Sequence, residues 1–231
     1  MARTVSPLPE GEEKVEAVGA MFDTIAPRYD LVNRIMTFRM DVGWRRKTLD
    51  SLALSKGAKV LDIAAGTGDL CREMERRGLE PVALDLSAGM LRNARTDAPL
   101  VQADARFLAI ATGSMDGVTC GLALRNLVDL PACFAEMARV LRPGGSLALL
   151  EVSAPTNPVL AFGHRVYFGR VVPLIGGLIS NAAAYRYLPR SVAYLPPTPE
   201  LLAQIERAGF ANPQRRALSG GIAQLITARR A

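Results

Sequence analysis

Along the middle of the chain, short apolar runs that end in or just before a polar residue alternate with helix-like stretches. Residues 60–63, 81–85, 100–104, 117–122 and 146–152 have the length and near-continuous hydrophobicity of strands buried on both faces. Between them, residues 71–77, 87–95 and 130–141 carry apolar side chains at helical spacing, with Ser87 as an N-cap and Gly78 and Pro143-Gly144-Gly145 as stops. A helix over 198–209 and a hairpin of 214–218 with 222–227 about Gly220-Gly221 close the chain. Strand and helix in alternation predict an α/β fold, a mostly parallel seven-stranded sheet with helices on both faces.

The flanks read differently. Residues 1–14 are polar, with Pro7 and Pro9, and are expected to be a flexible tail; residues 15–231 then form a single domain. Within it, residues 15–56 are an N-terminal helical cap, with Phe22, Ile25, Tyr29, Leu31 and Ile35 at mixed helical spacing and a helix over 42–54. Cover for a site and plain helix packing both fit this preface. Residues 154–196 are apolar and aromatic, with Tyr167, Phe168, Tyr185 and Tyr187, and stand where an insertion before the last two strands would act as a lid.

Composition narrows the classes. At 231 residues and 49% hydrophobic, the chain has enough material for one ordinary core. Its 28 basic and 22 acidic residues give +6, but the positive charges are scattered, so no nucleic-acid partner is expected. Cys71, Cys120 and Cys133 lie in no CxxC spacing, and His164 is the only histidine, so neither a disulfide framework nor a metal site is expected and the setting reads as cytoplasmic. The longest apolar region, 158–179, is interrupted by His164, Arg165, Arg170 and Pro173, and is not read as a membrane span.

The chemistry centres on AKVLDIAAGTGDL, residues 58–70: a strand, a turn of small residues and the start of a helix. Glycines let a ligand approach the backbone, and a helix start offers free N–H groups. Asp62, Asp85 and Asp104 all fall at strand ends on the carboxyl edge of the sheet, where open α/β sheets bind ligands, and Asp85 lies about 20 residues past the turn, the place of a ribose-binding acid. A nucleoside is therefore expected. The third glycine of a dinucleotide turn is missing, and so is a GxxxxGK[ST] loop.

Together, FDTIAPRYDLVNRIMTF (22–38) with Trp44-Arg45, VLDIAAGTGDL (60–70), LRNLVDL (124–130), RVLRPGGSLALLEVS (139–153) and AYRYLPRSV (184–192) resemble the ubiquinone/menaquinone biosynthesis C-methyltransferase family from about Glu16 to the C-terminus. The resemblance implies a Rossmann-like class I methyltransferase fold and S-adenosylmethionine as cofactor. It places Gly66, Thr67 and Gly68 at the cofactor turn, Asp85 with Leu86 at the ribose, Asp104 and Ala105 at the adenine, and Asp62 and Gly121 beneath the methionine part. It also implies methyl transfer to a ring carbon of a polyprenylated quinol, demethylmenaquinol or a benzoquinol counterpart. Tyr29, Asp30, Asp41, Arg125, Asn126, Tyr185 and Arg186 are the candidates for substrate handling. Three positions depart from the family pattern: Ala64 replaces a first glycine, Asp41 a histidine before the tryptophan, and Gly121 a frequent serine. A lipid-soluble acceptor implies peripheral contact with the inner face of a membrane, and a homodimer is left open. The rival readings are an O- or N-methyltransferase of the same fold and a non-catalytic cofactor-binding scaffold.

Overall fold

The computed structural model describes residues 11–172 and 191–231. Seven strands form one sheet: β1 (Lys59–Ile63), β2 (Glu80–Asp85), β3 (Leu100–Gln102), β4 (Met115–Gly121), β5 (Leu141–Val152), β6 (Phe210–Leu218) and β7 (Ala223–Arg230). Their order is β3-β2-β1-β4-β5-β7-β6, parallel from β1 to β5, with β7 antiparallel to both β5 and β6. The chain moves outward one way from β1 and the other way from β4, so the crevice of a doubly wound sheet opens at the carboxyl ends of these neighbours.

The helices are α1 (Gly11–Ile25), α2 (Tyr29–Met36), α3 (Met40–Leu52), α4 (Asp69–Arg76), α5 (Ala88–Arg92), α6 (Leu130–Val140), α7 (Pro158–Val166) and α8 (Thr198–Arg207). A five-residue π-helical stretch, Tyr167–Val171, continues α7. The alternation of side chains along each strand sorts the core onto two faces. Leu61, Ile63, Leu147 and Leu149 pack with Phe134 and Met137 of α6 and Leu201 and Ile205 of α8. Val60, Ala148 and Leu150 pack with Trp44, Leu49 and Leu52 of α3 and Leu70 and Met74 of α4. Each fully buried side chain of this kind contributes about 1.5–3 kcal/mol, so both layers are needed to hold the strand edge still.

Several expectations change in detail. The helix begins at Gly11, so residues 11–14 are not tail: Lys14 is buried and donates to the carbonyls of Arg125 and Leu127, each at 3.0 Å. Residues 1–10 lie outside the described residues. Ser87 caps α5 as expected, accepting from the Met90 N–H at 3.0 Å, but that helix ends at Arg92. The third strand stops at Gln102, leaving Asp104 in the following loop.

Candidate active site

A cleft with about 900 Å³ of unfilled space, its mouth included, lies over the carboxyl ends of β1, β2 and β4. The glycine turn forms its floor. The Gly66 N–H donates to Asp85 Oδ2 at 2.7 Å, and the Ser87 N–H to Oδ1 at 2.8 Å, which fixes the Asp85 carboxylate at the cleft wall. Gly66 and Gly68 have φ of +59° and +79°, and a Cβ on Gly68 would come within 2.8 Å of Thr96 Cγ2. That turn needs glycine on both counts.

Asp62 is fully buried beneath the cleft. It accepts the Thr119 hydroxyl at 2.6 Å and the Cys71 thiol at 3.7 Å, both neutral donors. Burial dominates, and its pKa is pushed up to about 7. Desolvation raises Asp85 as well, against the backbone donors of Ser87, Gly66 and Leu86. Two buried carboxylates with neutral donors suit a ligand that brings an ammonium group and ribose hydroxyls. Around them Leu86, Met90 and Ala105, with Val18 and Phe22 from α1, supply apolar walls for a flat ring. The residues present fit S-adenosylmethionine.

Of the cofactor candidates, Asp62, Gly66, Thr67, Asp85, Leu86, Ala105 and Gly121 line this cleft, and Gly68 supports its floor. Asp104 does not line the cleft itself but a small adjoining pocket that shares Val18, Leu86, Ala105, Asn126 and Leu127 with it. Its carboxylate caps the next turn through the Arg106 N–H at 2.8 Å and pairs with the Arg106 guanidinium, which also reaches Glu12. A Cβ on Gly121 would come within 2.7 Å of Leu70 Cδ1, so the side chain absent here is replaced by leucine packing.

Beside the cleft is a larger apolar chamber, with about 1870 Å³ of unfilled space including its mouth, lined by α2, α3, α7 and the end of β5. Tyr29 and Leu122 line both spaces and mark where they meet. Tyr29 packs edge-on against Phe22, ring centroids 5.8 Å apart, and burial raises its phenol pKa. Asn126 borders the cleft. Arg125 borders the chamber, but its charge is engaged: it pairs with buried Glu151, donates to the Leu122 carbonyl at 2.7 Å and to Ser191 Oγ at 3.1 Å.

Asp30 and Asp41 are not on either wall. Asp30 accepts the Thr67 hydroxyl and ties α2 to the glycine turn. Asp41 is buried, accepts the Thr37 hydroxyl at 2.7 Å and pairs with Arg45, which continues to Asp69 at 3.1 Å. Both act as anchors for the helices above the site. Tyr185 and Arg186 lie outside the described residues.

Sequence reasoning passed over three participants. Arg45 and Asp69 line the cleft, and Glu151 neutralises Arg125. The i,i+4 spacing of Asp41 and Arg45 could have pointed to the first; no local signal marks a pair 26 residues apart. His164 borders the chamber, and burial lowers its pKa below the usual imidazole value. Cys71, Cys120 and Cys133 are buried free thiols. Among the described residues, no helix is long and apolar enough to cross a membrane.

The chain matches the ubiE/COQ5 methyltransferase family over residues 10–230. It is 43% identical to the demethylmenaquinone methyltransferase of Mycolicibacterium vanbaalenii, covering 95% of this chain and 97% of that protein. It is 42% identical to the ubiquinone/menaquinone biosynthesis C-methyltransferase UbiE of Syntrophotalea carbinolica, covering 90% and 91%. In fold it resembles a solved S-adenosylmethionine-dependent methyltransferase of Thermotoga maritima, with a TM-score of 0.64 at 15% identity over 92% of this chain and 99% of that one.

Proposed function

The chain belongs to the ubiE/COQ5 methyltransferase family, and from that premise we propose that it methylates a ring carbon of demethylmenaquinol to give menaquinol. It is an S-adenosylmethionine-dependent enzyme of quinone biosynthesis, and the O- or N-methyltransferase and scaffold readings are not favoured. The observation that carries the acceptor is the meeting, at Tyr29 and Leu122, of a cleft that holds two buried carboxylates and a separate apolar chamber. One side suits a charged nucleoside, the other a quinol ring with a prenyl tail. In this reading residues 11–231 work as one domain, with α1 to α3 capping the cleft and α7 bordering the chamber.

In the cleft, Asp62 would hold the ammonium group, Asp85 the ribose hydroxyls, and Leu86, Met90 and Ala105 the adenine face. Bound there, S-adenosylmethionine supplies a methyl group already activated on a sulfonium. The protein's task is then alignment of the acceptor carbon and control of one proton. Tyr29 stands at the junction and orients the quinol ring. Loss of a phenolic proton sends negative charge onto the ring carbon. His164, kept neutral by its lowered pKa, is the base on the chamber wall suited to take that proton. Arg125, neutralised by Glu151, shapes the wall, and Asn126 borders the cofactor. Asp30 and Asp41 hold the cap through Thr67 and Arg45.

The acceptor lives in lipid, so the enzyme works in the cytoplasm as a peripheral visitor to the inner face of the membrane. Incubation with methyl-labelled S-adenosylmethionine and reduced demethylmenaquinol tests the assignment. Label on the naphthoquinol ring carbon is the expected product. Tight cofactor binding with no label on either demethylmenaquinol or its benzoquinol counterpart would overturn the acceptor.

A further inference from the structure

Among the described residues, Tyr29 and Leu122 line both the cofactor cleft and the apolar chamber, and they are held differently. Tyr29 opens α2 in the cap, whereas Leu122 directly follows β4 at the centre of the sheet. Leu122 is 7% exposed and belongs to the buried cluster that contains Trp44 and Leu70. The little surface it keeps lies at the border of the two spaces.

Its backbone is strained. Leu122 has φ of +61°, a costly conformation for a bulky side chain that persists only where the surroundings over-determine it. Here they do. The Leu122 N–H donates to the Leu150 carbonyl at 2.7 Å, and the Leu122 carbonyl accepts from Arg125 Nη1 at 2.7 Å. Arg125 is pinned in turn. It pairs with Glu151, whose carboxylate also accepts the Arg125 N–H at 2.9 Å and the Val152 N–H at 2.7 Å. Its Nε donates to Ser191 Oγ at 3.1 Å. Arg125 and Glu151 are both buried. A buried ion pair adds little net stability, because desolvation offsets the attraction. Holding the backbone of a border residue in one strained conformation is a use that fits this pair.

We infer that Leu122 is the stop between two ligands, a side chain that sets how far an acceptor ring advances toward the cofactor, and that Arg125 with Glu151 is a positioning pair acting through it. That the ring is a quinol rests on the methyltransferase reading above; the stop itself needs only a ligand in each space. Methyl transfer depends on the distance and line of approach, so a fixed stop favours reaction without placing a charge on the ring.

The test uses the full chain. Leu122→Gly removes the side chain, and glycine is at home at this φ, so the turn is kept. Leu122→Ala gives the same readout should the glycine variant fail to fold, and Leu122→Met keeps most of the bulk. Trp44, the only tryptophan, lines the chamber, so quenching of its fluorescence reads binding of menadione, a tailless naphthoquinone, without turnover. Wild type and Leu122→Met should bind menadione equally, within twofold, with or without saturating S-adenosylhomocysteine. In Leu122→Gly the ring can advance into the cofactor's space, and S-adenosylhomocysteine should weaken menadione at least fivefold.

On reduced, short-tailed demethylmenaquinol, Leu122→Gly should lose at least thirtyfold in kcat while Leu122→Met keeps at least a third of the rate. Arg125→Lys leaves a charge for Glu151 but not the grip on the Leu122 carbonyl. It should cost at least tenfold in kcat in the wild type and less than threefold in Leu122→Gly. Independent binding of the two ligands to Leu122→Gly would overturn the stop, as would a Leu122→Met that behaves like it. Trp44 left unquenched in the wild type would remove the ring from the chamber, and the stop with it. Equal losses from Arg125→Lys in both backgrounds would overturn the positioning pair and set Arg125 on the acceptor directly. Coupling confined to Leu122→Gly, with no quinol methylated by any of the proteins, would support the stop and overturn the acceptor instead.

Discussion

Ala64 begins the glycine turn in a conformation that alanine avoids, with φ of +53°. A left-handed alanine costs about 1–2 kcal/mol, and glycine at the same place gives back part of that through its greater freedom in the unfolded chain. Ala64→Gly should therefore stabilise the protein by about 0.5–1 kcal/mol, read as a rise of a few degrees in thermal midpoint. Gly66 is the mirror case. Its φ is +59° and an added Cβ would meet nothing within 4 Å, so Gly66→Ala should lose stability through the backbone alone. A gain from Gly66→Ala would refute the argument for both. At this scale the sequence was readable where function needs a residue at a strand end. Asp62 and Asp85 were visible because an acid closing an apolar run is costly unless something uses it. The engagement of Arg125 by Glu151, and of Asp104 by Arg106, was not, because either side chain could have faced the ligand equally well by spacing.

Among the elements, α1 shows how a segment outside the sheet takes part in the site. Val18, Gly19 and Phe22 wall the cleft, and the helix is held there by two polar clasps. Lys14 donates to two carbonyls and lies 3.7 Å above the Tyr194 ring, while Asp23 accepts the Ser87 hydroxyl at 2.5 Å and the Gly89 N–H at 2.7 Å. Gly89 is what permits the second contact, since a Cβ there would fall 2.7 Å from Asp23 Oδ1. Removing the clasp should loosen the wall more than the core. Asp23→Ala is expected to weaken S-adenosylmethionine binding about tenfold, equivalent to about 1.4 kcal/mol, with global stability lowered by about 1 kcal/mol. Calorimetric titration and urea unfolding measure the two separately; unchanged affinity beside reduced stability would reduce the clasp to ordinary packing. The central strands and α6 were legible because apolar runs and their stops are local. The start of α1 was not: Glu12 and Lys14 look solvated, and their partners, Arg106, Arg125 and Leu127, lie more than 90 residues away.

The molecule as a whole stores a charge imbalance at the centre of its sheet, and global stability should report it. Asp62 titrates near 7 in the folded protein against 3.8 when unfolded. Between those values the unfolded chain has released its proton while the folded one keeps it, so stability falls as pH rises through this window and levels off above it. Asp85 is raised too and adds the same sign. The lowered acids, Glu12, Asp23, Asp104, Glu136 and Glu200, act in acid, where their contribution is lost as pH falls. His164 opposes Asp62 just below pH 6.5, since there the unfolded imidazole holds a proton that the folded one lacks. The carboxylate is more deeply buried and should win. Between pH 5.5 and 7.5 the cofactor-free protein should lose about 2 kcal/mol, and Asp62→Asn, which cannot ionise, should remove most of that slope. Saturating S-adenosylmethionine should flatten the wild-type slope in the same way, because an ammonium group against Asp62 would keep it ionised. Urea unfolding at four pH values, with and without cofactor, reads all three. A slope that survives Asp62→Asn would move its origin to Asp85, and a slope that survives cofactor would take the ammonium group away from Asp62.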